Sequence, residues 1–198
     1  MPHTKASICN SALLLLGQDP LVEDADAAQQ YGDADAVVRA YDERFGRVLR
    51  SHNWNFAETL AVIDAANEAP AFGFARKFPL PTVPPCARVW ALSEDRHGKE
   101  PKYRVRGGFI ETDEASPLHV IYIARIEDPS LFDDEFAEAL AAEIAAKAAL
   151  KVLGSKEAAT TFRKEAKEDQ TGARSIDSKE NPPKDIDGGS WTVGRSTG

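Results

Sequence analysis

The sequence predicts an α+β fold: a helical bundle built from the N- and C-terminal helices, an inserted small antiparallel β subdomain, and an extended C-terminal tail. Three observations lead there. Apolar residues recur at helical period near both ends of the chain, while the middle holds prolines, β-branched runs and the turn pair Gly107-Gly108. The last stretch is polar and broken at Pro182-Pro183. The expected division is 1–56 with 127–176 as the helical domain, 57–126 as the β subdomain and 177–198 as the tail.

Each helix announces its own ends. Thr4 is placed to cap the first one, Gly17 to stop it in the left-handed region, and Ile8, Ala12, Leu15 and Leu16 are expected on one face. A second helix is predicted from about Asp33 to Ser51. Its stripe is Val37, Tyr41, Phe45, Val48 and Leu49. Arg39, Arg44, Arg47 and Arg50 lie on its other faces and read as a solvated surface, with a partner patch as the alternative.

In the middle, Pro79, Pro81, Pro84 and Pro85 suit extended edges rather than helix. Ala87 to Leu92 reads as a strand, Lys102 to Arg106 and Phe109 to Thr112 as a hairpin across Gly107-Gly108, and Leu118 to Ala124 as another strand.

Helix resumes after Pro129. Asp133, Asp134 and Glu135 put negative charge where the helix dipole favours it, and Phe136, Leu140, Ile144 and Ala148 repeat every fourth residue among alanines. Gly154 ends this helix and Ser155 caps the next, whose apolar stripe is only Ala158, Ala159, Phe162 and Ala166. From Lys164 to Glu180 the chain is almost wholly polar, so a helix there has little to bury within its own domain. The tail beyond carries Ile186, Trp191 and Val193; Trp191 reads as an anchor for a partner's pocket, because one aromatic side chain buries a large area, with folding back on its own domain as the alternative.

Composition narrows the function classes. The 198 residues suffice for one domain or two small ones; 42% are apolar and 28% charged, the balance of a soluble globular protein. With 32 acidic against 24 basic residues, the net charge of −8 gives no general attraction for phosphate backbones. Cys9 and Cys86 read as two buried thiols, with one disulfide as the alternative. The apolar run Ala12 to Leu16 is far too short to span a bilayer, and the start lacks the small-residue cleavage site and strongly basic residues of a signal peptide. Synthesis and residence in the cytoplasm are therefore expected until whatever the protein joins leaves the cell.

Catalytic constellations are missing from the sequence. Gly107-Gly108 leads into a strand, not a helix, so it is no phosphate loop. His3, His52, His97 and His119 lack ligand-type partners one helical turn away. Ser51-His52 and Cys86 have no defined base. Glu94-Asp95 and Asp133-Asp134 are explained by turn chemistry and the helix dipole rather than as a glycosidase pair. No cofactor and no metal are expected, and the chain does not read as an enzyme.

Three stretches carry a resemblance. Ile8-Cys9-Asn10-Ser11-Ala12-Leu13-Leu14-Leu15-Leu16-Gly17 opens the chain; Tyr41-Asp42-Glu43-Arg44-Phe45-Gly46-Arg47-Val48-Leu49-Arg50-Ser51-His52-Asn53-Trp54-Asn55-Phe56-Ala57 follows; Phe78-Pro79-Leu80-Pro81 and Cys86-Ala87-Arg88-Val89 lead into the β part. A strand ending Tyr122-Ile123-Ala124-Arg125 and an Ala-rich helix come after. In order and spacing, roughly from residue 5 to 165, these stretches resemble the head-to-tail adaptors of short-tailed bacteriophages, the tail tubular protein A family.

The resemblance implies a structural virion protein at the head–tail interface, assembled in the host cytoplasm. It would form an expected dodecameric ring beneath the portal protein, continue the channel for double-stranded DNA, and present its far side to the tail nozzle protein and tail fibres, with no membrane anchor. Ile186, Trp191 and Val193 are the candidate portal contacts. Two other readings accompany it: a virion-associated peptidoglycan hydrolase, and the connector of a siphophage or gene transfer agent.

Overall fold

A computed structural model of the chain describes residues 2–20, 23–25, 32–92 and 101–164. Helix α1 spans Lys5–Leu15, α2 Gly32–Ser51 and α3 Asp134–Leu153, and a fourth helix, α4, is described over 156–164. Six strands lie between α2 and α3: β1 Glu58–Ile63, β2 Arg76–Pro79, β3 Cys86–Leu92, β4 Tyr103–Arg106, β5 Phe109–Thr112 and β6 Leu118–Ala124. The fold is α+β, with helices from both ends of the described chain flanking two small antiparallel sheets.

Helix ends follow the local chemistry. Thr4 Oγ1 accepts from the Ser7 amide at 3.0 Å while the Thr4 amide donates to Ser7 Oγ at 2.9 Å, a reciprocal capping box. At the other end Gly17 has φ +71°, its amide donating to Leu14 O and that of Gln18 to Leu13 O, so two otherwise orphaned carbonyls are satisfied. Asp133 caps α3 by accepting from the Phe136 amide at 2.7 Å, and Ser155 Oγ accepts from the Ala158 amide at the start of α4.

One expectation for α1 fails. Leu15 is 48% exposed, and Cys9 and Leu13 are buried in its place. At 3.6 residues per turn the buried arc centres between Ala12 and Leu16, and Leu15 falls beyond its edge.

The bundle is organised around α3. His3 contacts Asp134 at 2.8 Å, so the start of α1 lies beside the start of α3. Lys147 meets Glu43 at 2.6 Å and Lys151 meets Asp35 at 3.1 Å, so α2 runs antiparallel to α3. Buried residues surround most of α3, and its alanines let α1 and α2 approach closely. The α2 stripe Val37, Tyr41, Phe45, Val48 and Leu49 is buried against it.

Trp54 carries the chain from α2 towards β1. It is fully buried in the helical core, edge-on to Phe136 at 5.2 Å and to His52 at 5.0 Å. Phe45, Phe56, Phe132 and Phe136 complete an aromatic knot around it.

The β segment is two sheets, ordered β1-β6-β3 and β2-β5-β4. The hairpin β4–β5 turns through Gly107 and Gly108 at φ +58° and +81°, the backbone a two-residue primed turn demands. Phe78 and Ile110 from one sheet pack on Val89, Leu92, Leu118, Val120 and Tyr122 from the other. β6 serves both cores: Tyr122 and Ala124 belong to the core between the sheets, Ile123 to the helical core.

Candidate interaction surfaces

The described residues hold no group of three or more His, Cys, Asp or Glu placed to bind a metal ion. Both cysteines are free thiols. Burial pushes the Cys9 thiol up to about 12, with Lys5 opposing; burial also raises Cys86, half-buried on β3, against the opposing charge of Arg50. A thiol held protonated at neutral pH is a poor nucleophile, so Cys9 is a packing residue. No helix among the described residues is long and apolar enough to cross a membrane. Ile186, Trp191 and Val193 lie outside the described residues.

A cleft of about 300 Å³ opens between Lys5, Tyr41, Asp42, Phe45, Arg125, Glu127 and Pro129. Its charges answer one another: Lys5 pairs with Asp42 at 3.0 Å and Arg125 with Glu127 at 2.5 Å. Lys5 also lies over the Tyr41 ring and Arg125 over the Phe45 ring. Arg125 lies against Gly46, where a Cβ would stand 3.4 Å from its Nη1, in contact without a clash. The arrangement clamps the end of β6 to α1 and α2 and leaves no free charge for a ligand.

Of the α2 arginines, Arg39, Arg47 and Arg50 are exposed, and Arg39 pairs with Asp35 at 2.7 Å. Arg44 is half-buried, with a buried Nε that has no partner among the described residues. Arg50 reaches across to β3, donating from Nη1 to Ala87 O at 2.7 Å. Next to it Arg88 donates to His52 O and to Asn53 Oδ1. Burial, then the adjacent Arg50 charge, lowers the Arg88 pKa.

The two edges of the β1-β6-β3 sheet differ sharply. β3 meets β6 with two register breaks, which leave Ala87 and Trp90 out of the pairing. The carbonyls of both skipped residues accept side-chain donors, Ala87 O from Arg50 and Trp90 O from the Tyr103 hydroxyl at 3.2 Å. β1 instead pairs with β6 without interruption from Glu58↔Ile123 to Ile63↔Leu118. Its outer edge has no strand beside it among the described residues. Neither a proline nor a lysine interrupts it, and Leu60 and Val62 are 72% and 64% exposed. Leu60 stands opposite Ile121, which in turn faces Ala91, so a row of apolar side chains crosses the sheet.

Further apolar residues are exposed elsewhere: Leu14 and Leu15 on α1, Leu150 on α3, and Phe72 and Val83 in the loops flanking β2. Leu60 and Val62 differ in sharing one face of an edge strand. The expected strands began only at Ala87, so β1 was missed, although Thr59, Val62 and Ile63 are β-branched and Leu60 and Val62 sit two residues apart. No protein-family model matches the chain, and no curated protein matches it.

Proposed function

We propose that this chain is a structural head-to-tail adaptor subunit of a tailed-phage virion, acting as one copy in a ring beneath the portal. The reading rests first on the resemblance of residues 5 to 165 to that family, in the order and spacing of its motifs. The supporting observation in the fold is the uncovered apolar strand face, Leu60 at 72% and Val62 at 64% exposed, which a protein working alone has reason to avoid. A ring subunit covers such a surface with a neighbour, and a head-to-tail contact closes when the rotation between copies divides a full turn. The net charge of −8 suits a conduit that must not grip the DNA passing through it.

Electron microscopy of the purified protein mixed with portal rings tests the proposal. A ring of this chain capping the portal is the expected image. A protein that stays monomeric beside unoccupied portals contradicts it, and clearing of peptidoglycan in a zymogram would turn the reading towards a hydrolase.

A further inference from the structure

We propose that the open edge of β1 is a strand-acceptor site, and that its occupant is the segment Ser190-Trp191-Thr192-Val193 of a second copy of this chain. The choice of a second copy, rather than the same one, rests on the ring proposed above.

The acceptor is argued from the contrast within one sheet. Edge strands expose unpaired amides and carbonyls, and folds blunt them with bulges, charge or cover. β3 has both bulges and side-chain caps, from Arg50 and Tyr103. β1 has an unbroken register, and the residues that face outwards are Leu60 and Val62. Alternate backbone groups along β1 point away from β6, ready for a further antiparallel or parallel neighbour. An added strand would extend the sheet by main-chain hydrogen bonds and gain specificity from side chains two residues apart.

The donor is argued from its residues. Trp191 and Val193 stand two apart, so in extended backbone both project to the same side, as Leu60 and Val62 do. Trp, Thr and Val all favour strands, and aromatic or β-branched residues across from Leu and Val make good cross-strand pairs. Gly188, Gly189 and Gly194 bracket the segment, which contains no charge to bury. Fully extended, the chain from Lys164 to Trp191 reaches roughly 90 Å at about 3.3 Å per residue, enough to pass to a neighbouring copy. Each copy gives one segment and receives one, an exchange that closes as a reciprocal pair or, passed on to a third copy, continues head-to-tail round a ring.

The test uses the full chain, with sedimentation velocity over a concentration series and hydrogen exchange read at the β1 amides. The wild type should associate with rising concentration, and its β1 amides should slow in step. Trp191→Ala and Leu60→Lys should each weaken association by roughly tenfold or more, and the two together should add little, because both break one contact. Leu131→Lys, at an exposed apolar position away from the sheet, should leave association unchanged. Circular dichroism checks that Leu60→Lys stays folded, and Trp191→Ala gives an independent arm that leaves β1 untouched.

Association that Trp191→Ala leaves intact overturns the proposal, as would β1 protection that is independent of concentration in a monomer, since the segment would then be folding back on its own chain. A wild type that never associates overturns it too. Capture of portal rings is scored separately. If Trp191→Ala still forms rings that cap the portal, strand donation fails while the adaptor reading stands. If association depends on Trp191 yet no portal is ever bound, the adaptor reading fails and strand donation stands.

Discussion

The indole N–H of Trp54 donates to the carbonyl of Val48 at 3.0 Å, so the residue that leaves α2 is tied back to the last turn it came from. With Phe136 at 5.2 Å on its other side, the ring fixes the direction in which the chain sets out for β1. Trp54→Ala should cost about 3–5 kcal/mol by removing a large buried side chain. Trp54→Phe keeps most of the packing and loses one hydrogen bond to a carbonyl that the Ser51 hydroxyl still reaches at 2.7 Å, at about 0.5–1.5 kcal/mol. Chemical denaturation of both variants checks the order.

The hairpin turn gives a second prediction. Gly107 and Gly108 sit at φ +58° and +81°, where a Cβ is strained even though space around each is open. Gly107→Ala should lower stability by about 1–2 kcal/mol, and Gly107→Asn by less, because Asn tolerates the left-handed region. A smaller drop in melting temperature for Asn than for Ala is the expected result.

Acid should act through the ion pairs that bind α2 to α3. Hydrogen bonds from Arg39 and then Lys151 hold the Asp35 carboxyl below its ordinary value, and Lys147 does the same for Glu43. For groups whose folded pKa is depressed, the contribution is present above the unfolded value and is lost as pH falls through the folded one. Asp35→Asn should therefore flatten the loss of stability below about pH 4, measured as melting temperature against pH.

Alkali should act through Cys9. Its thiol titrates at 9.0 when free and at about 12 when folded, so the protonated form is favoured in the native state. That contribution is complete below pH 9 and is lost as pH climbs from there towards 12. At neutral pH a thiol reagent should modify Cys9 only after denaturant is added, while the half-buried Cys86 reacts slowly in the native protein. Rapid native labelling of Cys9 contradicts this account of the α1 core.

The protected edge yields one more test. Tyr103→Phe removes the donor to Trp90 O, and Arg50→Ala removes the donor to Ala87 O. Together they should unmask β3 and raise light scattering on concentration, with little loss in melting temperature.

What the sequence made legible was what depends on neighbours along the chain. Thr4 and Ser155 as caps, Gly17 and Gly154 as stops, the α2 stripe and the Gly107-Gly108 turn all follow from residues within a few positions of one another. What it hid depends on distant packing. Which side of α1 is buried was decided by α2 and α3, and this left Leu15 outside. β1 is a strand because β6 lies beside it, and the division into two sheets arises from which strands pair. The candidate site was the least legible part: an unpaired edge is a property of the sheet, and no local pattern distinguishes β1 at an edge from β1 at the centre.

Because β6 contributes Ile123 to one core and Tyr122 and Ala124 to the other, neither half can loosen while its companion stays intact. Heat should therefore melt the whole body in one step, with fluorescence from Trp54 and Trp90 changing at a common midpoint. A pull applied at the helices would reach the hairpin along that shared strand, so the subunit would bear load as a single stiff block.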